Sequence, residues 1–230
     1  MDFISGEILL VDKPLTWTSF DVVNKLRYNI KKKLGVKKIK IGHAGTLDPL
    51  ATGLLILCTG KFTKRIEEFQ ATKKEYTGKI LLGKSTSSYD LETEFNQEAS
   101  TEHITEAEME KVRLGFLGEQ FQTPPIFSAK KIDGQKAYDM ARDGKEVKMR
   151  QAFVEIFEFE INTRSFPEIE FRIVCSKGTY IRSIAYDFGQ RLSSLGTLIE
   201  LRRTKSGDMD VTQAKSVDEW MEIISAAETP

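Results

Sequence analysis

Cysteine is almost missing from this 230-residue chain: Cys58 and Cys175 are the two, and neither stands in a CxxC or cysteine–histidine spacing. That excludes a disulfide framework and a structural zinc site, and it favours a reducing, cytosolic setting. No apolar run approaches the roughly 20 residues of a membrane span. The opening MDFISGEILL lacks the basic n-region of a secretory signal, so a soluble, cytoplasmic protein is expected. The phosphate-cradling GxxxxGK[ST] and the dinucleotide GxGxxG are both missing. Net charge is also missing, with 34 basic residues balancing 34 acidic ones, which by itself argues against a nucleic-acid binder.

The distribution of that charge says otherwise. From Asn24 to Lys74 there are thirteen Lys or Arg residues, Lys31, Lys32, Lys33, Lys37, Lys38 and Lys40 among them, against Asp48, Glu67 and Glu68. Acids collect instead between Ser85 and Glu119, where nine face two bases, and after Ser206, where six face Lys215 alone. Segregation of this kind can make a one-sided footprint for phosphates; lysines on a solvated helix face would leave the same trace.

With 40% hydrophobic residues the chain can bury one substantial core or two small ones. Thr18 with Asp21 forms a capping box, and Val22, Val23, Leu26, Ile30 and Leu34 follow at helical spacing up to Gly35. Thr105 with Glu108 starts a second helix, with Met109, Val112 and Phe116 on its buried face. Tyr76 to Leu82, Phe153 to Ile161 and Ile169 to Cys175 read as strands, a turn follows over Ser176 to Gly178, and Ile181, Ile184, Ala185, Phe188 and Leu192 form a helical stripe. Strands and helices without a regular βαβ repeat predict an α+β fold.

The most informative stretch is Gly42 to Leu55, GHAGTLDPLATGLL, where glycines, small residues and a proline surround one carboxylate, Asp48, with His43 as the only other ionisable group. Two readings fit. Aspartate followed by proline is a good helix start, the carboxylate capping orphan amides. A lone carboxylate in a tight loop is equally a nucleophile or a charge-positioning group.

These residues, GHAGTLDPLATGLL, resemble the signature of the TruB family of tRNA pseudouridine synthases. Five further segments agree in order and spacing: LLVDKPLTWTS from Leu9, KKEYTGKILLGKST from Lys73, QTPPIFSAKKIDGQKAYDMARDG from Gln122, VCSKGTYIRSIAYDFG from Val174 and ELRRTKSG from Glu200. The resemblance runs from Gly6 to about Gly207. It implies a pseudouridine-synthase fold, built on a large, mainly antiparallel mixed sheet flanked by helices and loops, as one catalytic domain over residues 1–230 without the small C-terminal RNA-binding domain that many relatives append.

The implied activity is that of an isomerase converting the T-loop uridine of tRNA to pseudouridine-55. It needs no cofactor and no metal, and its partner is the T arm of tRNA, met by a monomer away from any membrane. Asp48 is the implied catalytic group, with Arg182 placed beside it by the SKGTYIR match; locally, Arg182 is simply an arginine in the first turn of a helix, where the dipole disfavours it. Tyr76 is implied to stack on the target base, though on residue pattern alone it is a half-buried strand aromatic. Tyr180 belongs to the same pocket wall, and Leu201 matches the position whose main chain reads the uracil edge. His43 is implied to lie against the folded RNA loop and help hold the base out. Lys13 and Pro14, with Gly45 and Thr46 of the main motif, are expected to support the site. A different RNA target is the alternative within the family, and a non-catalytic RNA-binding or RNA-folding module is the alternative outside it.

Two segments depart from the family pattern. After Gly83 the usual T-D-T-x-D-x-x-G is reduced to Thr86, Ser87, Ser88 and Asp90, which puts the role of that loop in question. The last motif ends as Gly207, Asp208, Met209, so an aromatic support is expected to be lost.

Overall fold

A computed structural model describes residues 1–127, 131–132, 135–136 and 149–227; most of the segment predicted to match the family between Ser128 and Gly144 lies outside them. The chain forms two compact units, Met1–Tyr76 with Leu201–Pro230, and Thr77–Glu200.

The first unit is laid down by β1 (Ile8–Lys13), α1 (Ser19–Leu34), β2 (Ile41–His43), β3 (Ala51–Thr59) and α2 (Ile66–Gln70), and it is completed by the ends of β4 (Lys74–Leu82) and β12 (Gly196–Ser206), by β13 (Met209–Asp210) and by α5 (Val217–Ala226). Helix α1 forms as its spacing predicts. Thr18 and Asp21 close the capping box, and Gly35 ends the helix at φ 65°, a left-handed conformation in which glycine is cheap. Val22, Val23, Leu26 and Ile30 pack with Leu9, Val11, Leu55, Leu57, Trp220 and Ile224, and each buried aliphatic stabilises by roughly 1.5–3 kcal/mol. Trp220 keeps its indole N–H satisfied by donating to the Leu10 carbonyl at 2.8 Å.

Strand β3 is the axis of this unit. It pairs antiparallel with β1, antiparallel with β2, and parallel with β12 through Leu201↔Ala51 to Arg203↔Gly53. Leu55 and Leu57 face one core, whereas Ala44, Leu54 and Ile56 form a second on the opposite face, joined by Ile66, Phe69 and Met209. Met209 thus fills an apolar place where the sequence predicted a lost support: a thioether chain packs where an aromatic ring is usual in the family pattern.

The second unit holds β4 from Thr77, β5 (Lys84–Thr86), β6 (Phe95–Glu98), α3 (Glu106–Leu114), β7 (Gly118–Gln122), short strands at Lys131–Ile132 and Gln135–Lys136 (β8 and β9), β10 (Ala152–Asn162), β11 (Glu168–Cys175), α4 (Ile181–Arg191) and β12 up to Glu200. Its sheet order is β12-β4-β11-β10-β7. On β11 the predicted alternation holds, Ile169, Phe171, Ile173 and Cys175 being buried. Phe116, Phe159 and Phe188 meet with ring centroids 5.8 to 6.2 Å apart, tying the residues after α3 to β10 and α4. The pairs β1–β3, β2–β3, β5–β6, β7–β10, β8–β9, β10–β11 and β12–β13 are antiparallel and β3–β12 is parallel, the mixed, mainly antiparallel α+β arrangement expected.

Candidate active site

Asp48 does not cap a helix. It opens a turn, the Ala51 N–H donating to the Asp48 carbonyl at 3.1 Å, and the chain then enters β3. The local grammar that favoured a helix start is overridden by strand pairing: from Ala51 onward the backbone groups are taken by β1 and β12.

The loop from Ala44 to Leu50 is fastened from several elements. At the start of α1, buried Ser19 donates its hydroxyl to the Leu47 carbonyl at 3.1 Å and accepts the Leu47 N–H at 2.8 Å. Thr16 N–H donates to the Pro49 carbonyl at 2.9 Å. Lys13, on the end of β1, donates from Nζ to the carbonyls of Trp17 (2.5 Å), Pro14 (2.9 Å) and Pro49 (3.3 Å). From β12, Arg203 donates Nε to the Leu54 carbonyl at 2.7 Å and Nη2 to the Gly45 carbonyl at 3.2 Å. With its main chain held this way, the half-buried Asp48 has little freedom to wander.

The electrostatics are unusual for a strand face. Leu9, Val11 and Lys13 share the buried face of β1, so a lysine at 0% exposure takes the place of a third aliphatic. Burial pulls the Lys13 ammonium down to about 8 from the ordinary 10.5, against the upward pull of Asp48 and Asp21. His43, on β2, is pushed below the usual imidazole range by burial first and by the Arg203 charge second, so it is neutral at pH 7 and can both donate and accept.

The remaining site residues distribute as follows. Gly45 adopts φ 93°, which only glycine takes readily, and Thr46 is exposed. Tyr76, in β4, is half-buried and packs against the first unit's core. Leu201 pairs with Ala51 and its carbonyl accepts the Thr52 hydroxyl at 3.4 Å. Tyr180 and Arg182 lie in the second unit. Tyr180 precedes α4, its main chain held on both sides by the Gln122 amide at 2.8 and 3.0 Å.

Arg182, 3% exposed, donates to the carbonyls of Phe127 at 2.9 Å and Ser88 at 3.3 Å and pairs with buried Asp90 at 3.6 Å. The reduced motif after Gly83 therefore supplies a carboxylate and a carbonyl to this guanidinium. Within that loop the Ser88 and Thr86 hydroxyls donate to the Asp90 carbonyl. Sequence reasoning did not single out Asp90, Ser19 or Arg203 as site residues, although Ser19 and Arg203 stand inside matched segments and Asp90 in the loop that departs from the pattern.

The basic stretch is less uniform than its composition. Lys33 donates to the Ser225 carbonyl at 2.7 Å, and buried Lys74 is spent on the carbonyls of Phe69, Gln70 and Thr72 at the end of α2. Lys25, Lys32, Lys37, Lys38 and Lys40 are exposed. Among the described residues no three His, Cys, Asp or Glu side chains cluster as metal ligands would, and no helix is long and apolar enough to cross a membrane.

Comparison with known proteins gives consistent matches. A family model described as TruB family pseudouridylate synthase (N terminal domain) matches residues 31–181. The tRNA pseudouridine synthase B of Flavobacterium johnsoniae is 56% identical over 214 residues, covering 93% of each chain. That of Phocaeicola vulgatus is 53% identical over 225 residues and 96% of each chain. Among solved structures, a Cbf5-Nop10-Gar1 complex contains a chain with TM-score 0.71 and 26% identity, matching 96% of this chain and 54% of its own length.

Proposed function

The chain belongs to the TruB family of pseudouridylate synthases, and we propose that it isomerises a uridine of tRNA to pseudouridine, the target being the T-loop uridine that becomes pseudouridine-55. The observation that carries the reading is the setting of Asp48: a half-buried carboxylate on a turn whose main chain is fastened by Lys13, Thr16, Ser19 and Arg203. A cap needs no such bracing; a reacting group does, because small displacements cost large factors in rate.

The reaction breaks the glycosidic bond from nitrogen, turns the uracil over and rejoins it to the ribose through carbon. One proton leaves that carbon and one is taken up by the released nitrogen, so atoms and electrons balance within the substrate. Asp48 serves by attacking the sugar, attacking the base or removing a sugar proton. Reaching the uridine requires taking it out of its stack at a cost of a few kcal/mol. Tyr76 offsets part of that by stacking, an interaction of about 1–3 kcal/mol per base, and neutral His43 contributes a hydrogen-bonding edge. Leu201 is the reader of the uracil edge, and Arg182 and Tyr180 take the roles that the family match implies, with Lys13, Pro14, Gly45 and Thr46 as support. The enzyme works as a monomer in the cytoplasm, as one catalytic domain.

The test is pseudouridine formation in a T-arm stem-loop transcript, with other RNAs alongside. Parent protein should modify one T-loop uridine, whereas Asp48→Asn and Asp48→Ala should bind the transcript, melt close to the parent and form no product. Substantial turnover by either variant sinks the assignment of Asp48; product only in another RNA moves the substrate; binding without product in the parent favours a non-catalytic module.

A further inference from the structure

Arg203 is the largest fully buried side chain among the described residues, 1% exposed. Its guanidinium is bound to two neutral carbonyls, those of Leu54 and Gly45, and no carboxylate lies within ion-pair distance of it among the described residues. Burying an arginine without a carboxylate is costly, and an apolar side chain of similar volume usually packs as well or better. Packing alone therefore does not account for a guanidinium here.

The backbone around it is shaped to admit it. Arg203 forms the final pair of the parallel β3–β12 ladder with Gly53, and Gly53 adopts φ 98° with its place for a Cβ 2.3 Å from the Arg203 carbonyl. The strand leaves regular geometry at that point, and the Arg203 side chain reaches across to satisfy the next carbonyl, that of Leu54. The rest of the fork extends to Gly45, at the head of the Asp48 loop. There φ is 93° and a Cβ would stand 3.4 Å from Nη1, so glycine again suits the place. Lys13 holds the other end of the same loop through Pro49. Two buried cations thus grip the main chain on either side of Asp48, and the Arg203 charge acts on both Lys13 and His43.

We infer that Arg203 is a positioning residue for the reaction at Asp48, its planar fork fixing the head of the loop to β3. The inference rests on the reading of Asp48 as the reacting group. A guanidinium suits the place because the Leu54 and Gly45 carbonyls are met by two different nitrogens of one rigid planar fork, Nε and Nη2, whereas an ammonium gathers its acceptors around a single atom.

The experiment measures kcat, KM and melting temperature for Arg203→Met and Arg203→Lys on the T-arm transcript, with Asp48→Asn in parallel. Arg203→Met should stay folded, keep KM within about twofold and lose kcat by about 100-fold, the scale expected when a reacting group is displaced by about an ångström. Arg203→Lys should recover about a tenth of the parent kcat. A kcat within threefold of the parent in Arg203→Met overturns the inference, as does a loss that falls on KM alone. Should Arg203→Met fail to fold, Arg203→Lys is read by the same criterion, and parent-like kcat there overturns it. Inactive Asp48→Asn beside active Arg203→Met defeats this inference alone, whereas active Asp48→Asn defeats the reading beneath it.

Discussion

Lys13 gives the chain a measurable alkaline signature. Its ammonium titrates at about 8 in the folded protein and at 10.5 in an unfolded chain, because the lysine is buried at 0% exposure on the face of β1 that holds Leu9 and Val11. Below pH 8 both states carry the proton, and the native state bears the full cost of burying it. The shift of 10.5 − 8 = 2.5 corresponds to about 3 kcal/mol at 1.36 kcal/mol per pH step. Between pH 8 and 10.5 the unfolded chain holds a proton that the native one has released, so this group makes stability rise with pH. Integrating from pH 7 to about 9.5 gives a gain of about 2 kcal/mol. Urea unfolding of the parent and of Lys13→Met at both pH values isolates the effect, since other titrations are common to the two proteins. The methionine loses donors to the Pro14, Trp17 and Pro49 carbonyls, a penalty that does not change with pH. The parent should therefore gain about 2 kcal/mol relative to the variant on going to the higher pH. Parallel pH dependences in the two proteins would refute the reasoning.

Gly53→Ala should destabilise strongly, by about 3 kcal/mol or more, because a Cβ would sit 2.3 Å from the Arg203 carbonyl at φ 98°; a parent-like urea midpoint would contradict it. Asp90→Asn should cost about 3 kcal/mol, the usual penalty for breaking a buried ion pair, and lower turnover with it, since Arg182 loses its carboxylate at 3.6 Å; calorimetry with the transcript assay checks both. For RNA affinity, replacing exposed Lys25 and Lys32 by Gln should reduce the slope of log affinity against log salt by about 0.7–0.9 for each phosphate no longer neutralised. Lys33→Gln should change it less, because that ammonium is held by the Ser225 carbonyl at 2.7 Å. Equal effects of all three lysines would show that composition alone governs binding.

Local chemistry determined what could be read from the residues in order. Helix α1 was legible end to end because its capping box, its stripe from Val22 to Leu34 and its Gly35 stop are all short-range signals. The alternation of Ile169, Phe171, Ile173 and Cys175 was legible for the same reason, one face of β11 being buried. The motif around Asp48 carried the family and with it the candidate site. Strand β3 was not legible: buried on both faces, its LLILC run has no alternation, and the Asp-Pro pair before it mimics a helix start.

Only the tertiary structure decided that Asp48 opens a turn, because what settles it is the pairing of β3 with β1 and with the distant β12. The loop is then fastened by Ser19, Lys13 and Arg203, the last reaching Gly45 across 158 residues of sequence. It likewise decided that Asp90 serves Arg182, that Lys33 and Lys74 are spent on carbonyls, and that Lys13 sits where β1 should continue in aliphatics. A sequence states which groups a segment carries. Whether a charge faces water, a carbonyl or another charge depends on what folds over it, and that sets both its cost and its use.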